Sequence, residues 1–238
     1  MDYLVRRSAR ARHVWLKMSS GGGLVVVLPR GYGEEKVPGI IERYRAWIER
    51  TAKRVASRRA AEENGTPGAL PGLIALDVLG ESWTVDFRTA SGSRVTAREQ
   101  QGQRLVLCGD TANRDSCREA LLRWLQRKAK AVLEPRLREL AKEGGFSVAR
   151  VVVRLQRTRW GSCSRRGSVS LNARLLFVAP ELARHVMLHE LCHTVRMDHS
   201  KEFWELLARH DPEWRAHRRR LLVAWRDVPA WLHYSVRP

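Results

Sequence analysis

The chain has 238 residues, 44 of them lysine or arginine against 25 acidic, and a formal net charge of +19. That length buries a full core without disulfide staples, and its longest early apolar run, Leu24 to Leu28, is too short for a membrane span or a signal core. Membrane partners are therefore not expected, and Cys108, Cys117, Cys163 and Cys192, with no CxxC pair, read as free thiols of a cytoplasmic protein.

In chain order, residues 3 to 18 and 23 to 28 alternate apolar and polar side chains and read as two strands of a hairpin, joined by the glycine turn Ser19 to Gly23. A helix follows, with Ile40, Ile41, Tyr44, Trp47, Ile48 and Val55 on one stripe, closing near Asn64-Gly65. After the Pro67 and Pro71 break, short strands are expected at Leu73–Asp77, Trp83–Arg88, Ser93–Ala97 and Arg104–Cys108, forming an antiparallel sheet with the first hairpin.

A long helix is expected to begin between Thr111 and Ser116 and to stop at Gly144-Gly145, with Pro135 bending or splitting it. The fold class is α+β. A β-rich amino-terminal half, residues 1–110, precedes a catalytic half, residues 111–238. In the second half Val148 to Leu155 and Val169 to Leu171 have strand composition. The arginine-lined link between them reads as an irregular hairpin, whose edge strand would offer backbone hydrogen bonds to an extended peptide. Pro180 and Glu181 suit the first turn of the next helix, and Asp211-Pro212 opens the last one.

The helix starting at Pro180 carries His189-Glu190-Leu191-Cys192-His193, with His199 five residues further on. Helical residues four apart sit about 40° apart around the axis and roughly 6 Å along it, so His189 and His193 can turn their imidazoles to one point. His199 would bring a third nitrogen round from the following turn. Three histidines with an open fourth position are the pattern of catalytic zinc, and Glu190 is turned so that its carboxylate can reach a water there without being a ligand. The apolar neighbours Leu182, Val186, Met187, Leu188 and Leu191 strengthen the reading, because histidines in a buried helix need partners for their ring nitrogens.

His185 lies one turn earlier, roughly 12 Å along the helix from His193, too far to share an ion with it, and reads as a packed or solvated side chain. Cys192 reads as a small buried filler. Asp198 and Glu202 are near enough to support the ligands or simply to cap a helix.

The segments Arg159-Trp160-Gly161-Ser162-Cys163, Ser170-Leu171-Asn172, His189 to His193, His199-Ser200 and Phe203-Trp204 resemble the YgjP-like metallopeptidases, as do Ser8 to Arg12 and Ala46-Trp47-Ile48. The resemblance implies a minimal zincin-like catalytic half, related to SprT-like and Wss1-like zinc proteases, some of which cleave proteins crosslinked to DNA. It implies His189, His193 and His199 as zinc ligands and Glu190 as catalytic acid/base. For Asn172 and Cys163 packing is favoured over a substrate role, whereas Trp160 is left open between the two.

The expected activity is zinc-dependent hydrolysis of peptide bonds in a polypeptide substrate, with Arg157, Arg159, Trp160, Arg165 and Arg166 as candidate substrate contacts. Two rivals stand beside it. A closed pocket ringed by Arg157, Arg159, Arg165 and Arg166 would suit hydrolysis of a nucleotide phosphoanhydride. A structural metal in a basic chain would make it a nucleic-acid-binding protein, since such an excess of charge attracts polyanions. The same charge also reads as solvated faces such as Arg218-Arg219-Arg220.

Overall fold

A computed structural model of the chain describes residues 3–8, 11, 14–18, 23–45, 47–49, 51–52, 70–92 and 94–232. Two compact units divide between Ala75 and Leu76. The first holds a three-stranded sheet in the order β1-β3-β2, built from β1 (Tyr3–Ser8), β2 (Trp15–Met18) and β3 (Leu24–Pro29). Strands β2 and β3 pair antiparallel, as the hairpin reading requires, but β1 runs parallel to β3. Residues 3 to 18 are thus two strands, and the glycine turn at 19–22 lies outside the described residues.

Leu24, Val26 and Leu28 alternate inward along β3, where they meet Val37 and Ile48 in a buried cluster. Helix α1 (Val37–Arg43) breaks at Tyr44, which is exposed instead of continuing the buried stripe. Helical residues resume through 52, and the expected close near Asn64-Gly65 lies outside the described residues.

Strand β4 (Leu73–Leu76) lies at the division. With β5 (Glu81–Thr89), β6 (Thr96–Gln100) and β7 (Arg104–Gly109) it forms a sheet in the order β4-β5-β7-β6. Here too the expected antiparallel pairing is only partial, since β5 and β7 are parallel and β6 and β7 antiparallel.

Helix α2 (Arg114–Gly144) starts at the Asn113 cap, whose side chain accepts from Ser116 N at 3.0 Å, and stops at Gly145 in the left-handed region at φ 69°. Pro135 does not split it. The run of Leu121, Trp124, Leu125, Ala129, Leu133, Leu137 and Ala141, all buried, continues on both sides of the proline and holds the helix together by packing. The division expected near residue 110 falls within the second unit, because α2 packs on the strands just before it. Trp124 meets Trp83 edge-on at 5.7 Å and donates its indole N–H to Glu99 at 2.8 Å.

The sheet that frames the site has the order β8-β10-β9, from β8 (Arg150–Arg154), β9 (Gly161–Cys163) and β10 (Ser168–Asn172). Strand β10 runs parallel to β8 and antiparallel to β9. The link after β8 is therefore not a hairpin back onto β10. It carries the chain round to a short strand on the far edge, and only β9 and β10 are joined as a hairpin.

A buried 3-10 turn, Ala173–Phe177, leads into α3 (Pro180–Cys192), with proline in its first turn as expected. Helix α3 packs against α2, β9, α4 (Lys201–His210) and α5 (Trp214–Ala224). Among the described residues no helix is long and apolar enough to cross a membrane.

Replacing Leu133, fully buried on α2, with alanine is expected to lower stability by about 2–5 kcal/mol, read as a lower urea midpoint at unchanged slope.

Candidate metal centre

His189 and His193 lie one turn apart at the end of α3, and His199 reaches the same point from the turn before α4. The Nε2 atom of His189 is 3.2 Å from Nε2 of His193 and 3.1 Å from Nε2 of His199. Tetrahedral ligands bonded to zinc at about 2.0 Å stand roughly 3.3 Å apart, so these nitrogens have the spacing of a shared ion.

Hydrogen bonding among the rings does not account for the cluster as well. His193 Nδ1 lies 3.0 Å from the Arg196 carbonyl and donates to it, which leaves His193 Nε2 bare of hydrogen and free to coordinate. One proton on His189 Nε2 cannot serve two neighbours well. Burial, followed by the charges of the neighbouring histidines, lowers the pKa of His189 to about 3 and also lowers that of His199, so both present lone pairs at neutral pH.

Phe203, fully buried, stands against all three rings at centroid distances of 5.0, 4.6 and 4.8 Å for His189, His193 and His199. His199, the exposed member, also stacks on Trp204 at 5.5 Å, and Trp204 stacks on Trp214 at 4.4 Å. The aromatic wall limits where the third imidazole can go.

Glu190, next to His189 in the chain, is buried, and burial raises its pKa to about 8 while the charge of Arg159 opposes the rise. Its closest neighbour on the sheet is Gly161 at the start of β9. A Cβ built on Gly161 would come within 2.8 Å of both Cγ and Oε1 of Glu190. Glycine is required there by contact, and an edge strand thereby passes directly alongside the carboxyl group. Sequence reading placed Gly161 in the right segment without seeing this role, because nothing local marks it.

The candidate substrate residues separate. Arg159 acts on Glu190, whereas Arg157 acts on the buried Arg174. Arg165 and Arg166 are exposed in the β9–β10 turn and are not among the charges that act on Glu190 or the histidines. Trp160 stacks on Trp225 at 4.1 Å. Asn172, fully buried, donates to the carbonyls of Gln156 and Arg159 at 2.9 and 2.7 Å and accepts from Arg174 N at 3.1 Å. It fixes the backbone that carries Arg159 and Trp160, so its packing role reaches the site.

Cys192 and Cys163 are held as thiols, since burial raises them to about 12 and about 11, with Glu190 adding to the latter. Asp198 accepts from Ser200 N at 3.4 Å, the turn-capping use of this residue.

His185 has a buried partner that sequence reading did not foresee. Its Nδ1 is 2.6 Å from Asp211 Oδ2, and His217 Nδ1 is 3.0 Å from the same carboxylate. These three side chains have a metal-binding donor set, but each imidazole already has the carboxylate as its acceptor, so the group is satisfied as a clamp between α3 and α5. Burial alone would raise the Asp211 pKa; the hydrogen bonds from His185 and His217 outweigh it and hold the carboxyl well below the usual range.

An imidazole-lined site beside a buried glutamate on an α+β scaffold defines the class of metal-dependent hydrolases. The chain matches the YgjP-like metallopeptidase domain over residues 12–223 and belongs to that family. No curated protein matches it. It is also similar to a solved structure, the metallopeptidase zymogen of Pyrococcus abyssi abylysin, at 21% identity over 40% of this chain and 96% of that one, with a TM-score of 0.37.

Two outcomes are expected. Gly161→Ala should displace the Glu190 carboxyl and cut kcat/KM for peptide hydrolysis at least tenfold, because small misplacements of reacting groups are costly; metal content measured on the purified variant should be unchanged. Asp211, with its lowered pKa, contributes stability that is present above about pH 4, the unfolded value, and lost as pH falls below it. Asp211→Asn should cost about 3 kcal/mol at neutral pH and flatten the low-pH limb of a denaturation series.

Proposed function

We propose that His189, His193 and His199 hold a divalent ion, zinc from the donor set, and that Glu190 is the general base and acid for hydrolysis of peptide bonds. The observation that carries this reading is His189 Nε2 lying 3.2 and 3.1 Å from those of His193 and His199, with the buried Glu190 next to His189 in the chain and outside that group. Imidazole sites accept several divalent ions, and three nitrogens with an open corner are characteristic of catalytic zinc. When bound, such an ion acidifies a water and polarises the scissile carbonyl.

The protein's own groups do the rest. Glu190 takes the water's proton and later delivers it to the leaving amine, a shuttle that works best when the carboxyl pKa lies near the working pH, the direction in which burial moves it. Phe203 and the Arg196 carbonyl keep the imidazoles in place. An extended polypeptide as substrate is supported by β9 standing at the edge of its sheet, where a peptide could add as a further strand, and by the contact of Gly161 on that strand with Glu190.

A phosphoanhydride substrate is less well supported, since Arg165 and Arg166 lie exposed in the β9–β10 turn while Arg157 and Arg159 act on different groups. The net charge of +19 favours work on proteins bound to nucleic acid, and four free cysteines suit the reducing cytoplasm.

Glu190→Gln should retain one metal ion per chain and lose at least about a hundredfold in turnover of an unfolded protein substrate, while His189→Ala should lose the ion as well. A Gln variant as active as its parent would remove Glu190 from this role. Nucleoside triphosphates assayed alongside should not be hydrolysed.

A further inference from the structure

We propose, on the basis of the peptidase reading above, that the site selects acidic polypeptide segments, with Arg159 and Arg218 receiving carboxylates on opposite sides of the scissile bond. The two arginines come from different elements. Arg159 ends the link into β9: its backbone carbonyl is held by Asn172 at 2.7 Å, Trp160 beside it is stacked on Trp225, and Gly161 touches Glu190. The root of the Arg159 side chain is therefore fixed next to the strand that would align a peptide.

Arg218 belongs to α5, and its guanidinium lies 5.1 Å from the ring centroid of Trp204, the same indole on which His199 stacks. Arg159 thus serves the Glu190 side of the centre and Arg218 the His199 side.

Neither arginine is in an ion pair among the described residues, although many others are, such as Arg104 with Asp86, Arg138 with Glu134 and Arg220 with Glu181. Besides Glu190, two carboxylates close to the centre are engaged elsewhere. Asp211 is held by two histidines and Asp198 by Ser200, although the charge of Asp198 still reaches His199. Two exposed guanidiniums beside a dication make a strongly positive field, in which a lysine-flanked segment is repelled and a glutamate-flanked one attracted. The short edge strand favours an extended chain over a compact nucleotide as the source of those negative charges.

The test uses the zinc-loaded full chain and three peptides with one neutral core flanked on both sides by Glu, Gln or Lys, together with an unfolded neutral protein and nucleoside triphosphates. The expected ranking of kcat/KM is Glu over Gln over Lys, by about fivefold for each arginine engaged, and it should shrink as salt is raised. Arg218→Glu and Arg159→Glu should each narrow the ranking, and together invert it toward the Lys peptide, with metal content unchanged. Equal rates on the three peptides, or a ranking indifferent to both reversals, would overturn this proposal and leave the peptidase intact. Cleavage of the unfolded protein but of none of the peptides would also count against it. Hydrolysis of triphosphates with no cleavage of any polypeptide would overturn both readings.

Discussion

Three converging imidazoles, two of them with a ring nitrogen within about one ligand spacing of His189 Nε2, form an arrangement that no apolar core would choose for itself. Bare ring nitrogens facing one another repel and are poorly solvated, so the site must be imposed by its surroundings. The wall around it supplies that constraint. Phe203 lies against all three rings, Trp204 stacks on His199, and the Arg196 carbonyl fixes the tautomer of His193. The burial of α3 against α2, β9, α4 and α5 gives the cluster a rigid base.

The same packing accounts for the state of Glu190. A carboxyl group enclosed on one side by its own helix and on the other by Gly161 has little water to stabilise its charge, and its pKa rises accordingly. One contact therefore does two things: it shields the carboxyl group from water, and it seats β9 against the helix that carries His189.

Beyond the centre, the molecule spends charge unevenly. His185, Asp211 and His217 are hydrogen-bonded to one another in a buried clamp that ties the middle of α3 to α5. That helix in turn presents Arg218, outside any ion pair among the described residues, toward the exposed third histidine. Clamp and cation lie on consecutive positions of α5, so positioning the metal helix and setting the field around the substrate are linked through one element.

The convergence of His189 and His193 was legible in the sequence because its geometry is local. Four residues make one helical turn wherever the helix sits, and the apolar neighbours of His189 and His193 marked that turn as buried. The boundaries of α2 and α3 were legible for a similar reason, since Asn113, Gly145 and Pro180 act within a few residues of themselves. Apart from the β2–β3 hairpin, strand partners were not. Parallel pairing of β1 with β3, of β5 with β7 and of β8 with β10 depends on where distant segments find a free edge. The contact of Gly161 with Glu190, the clamp from His185 through Asp211 to His217, and the approach of Arg218 to His199 join residues far apart in the chain or on separate helices. Their partners are chosen by packing, so only the tertiary structure could decide them.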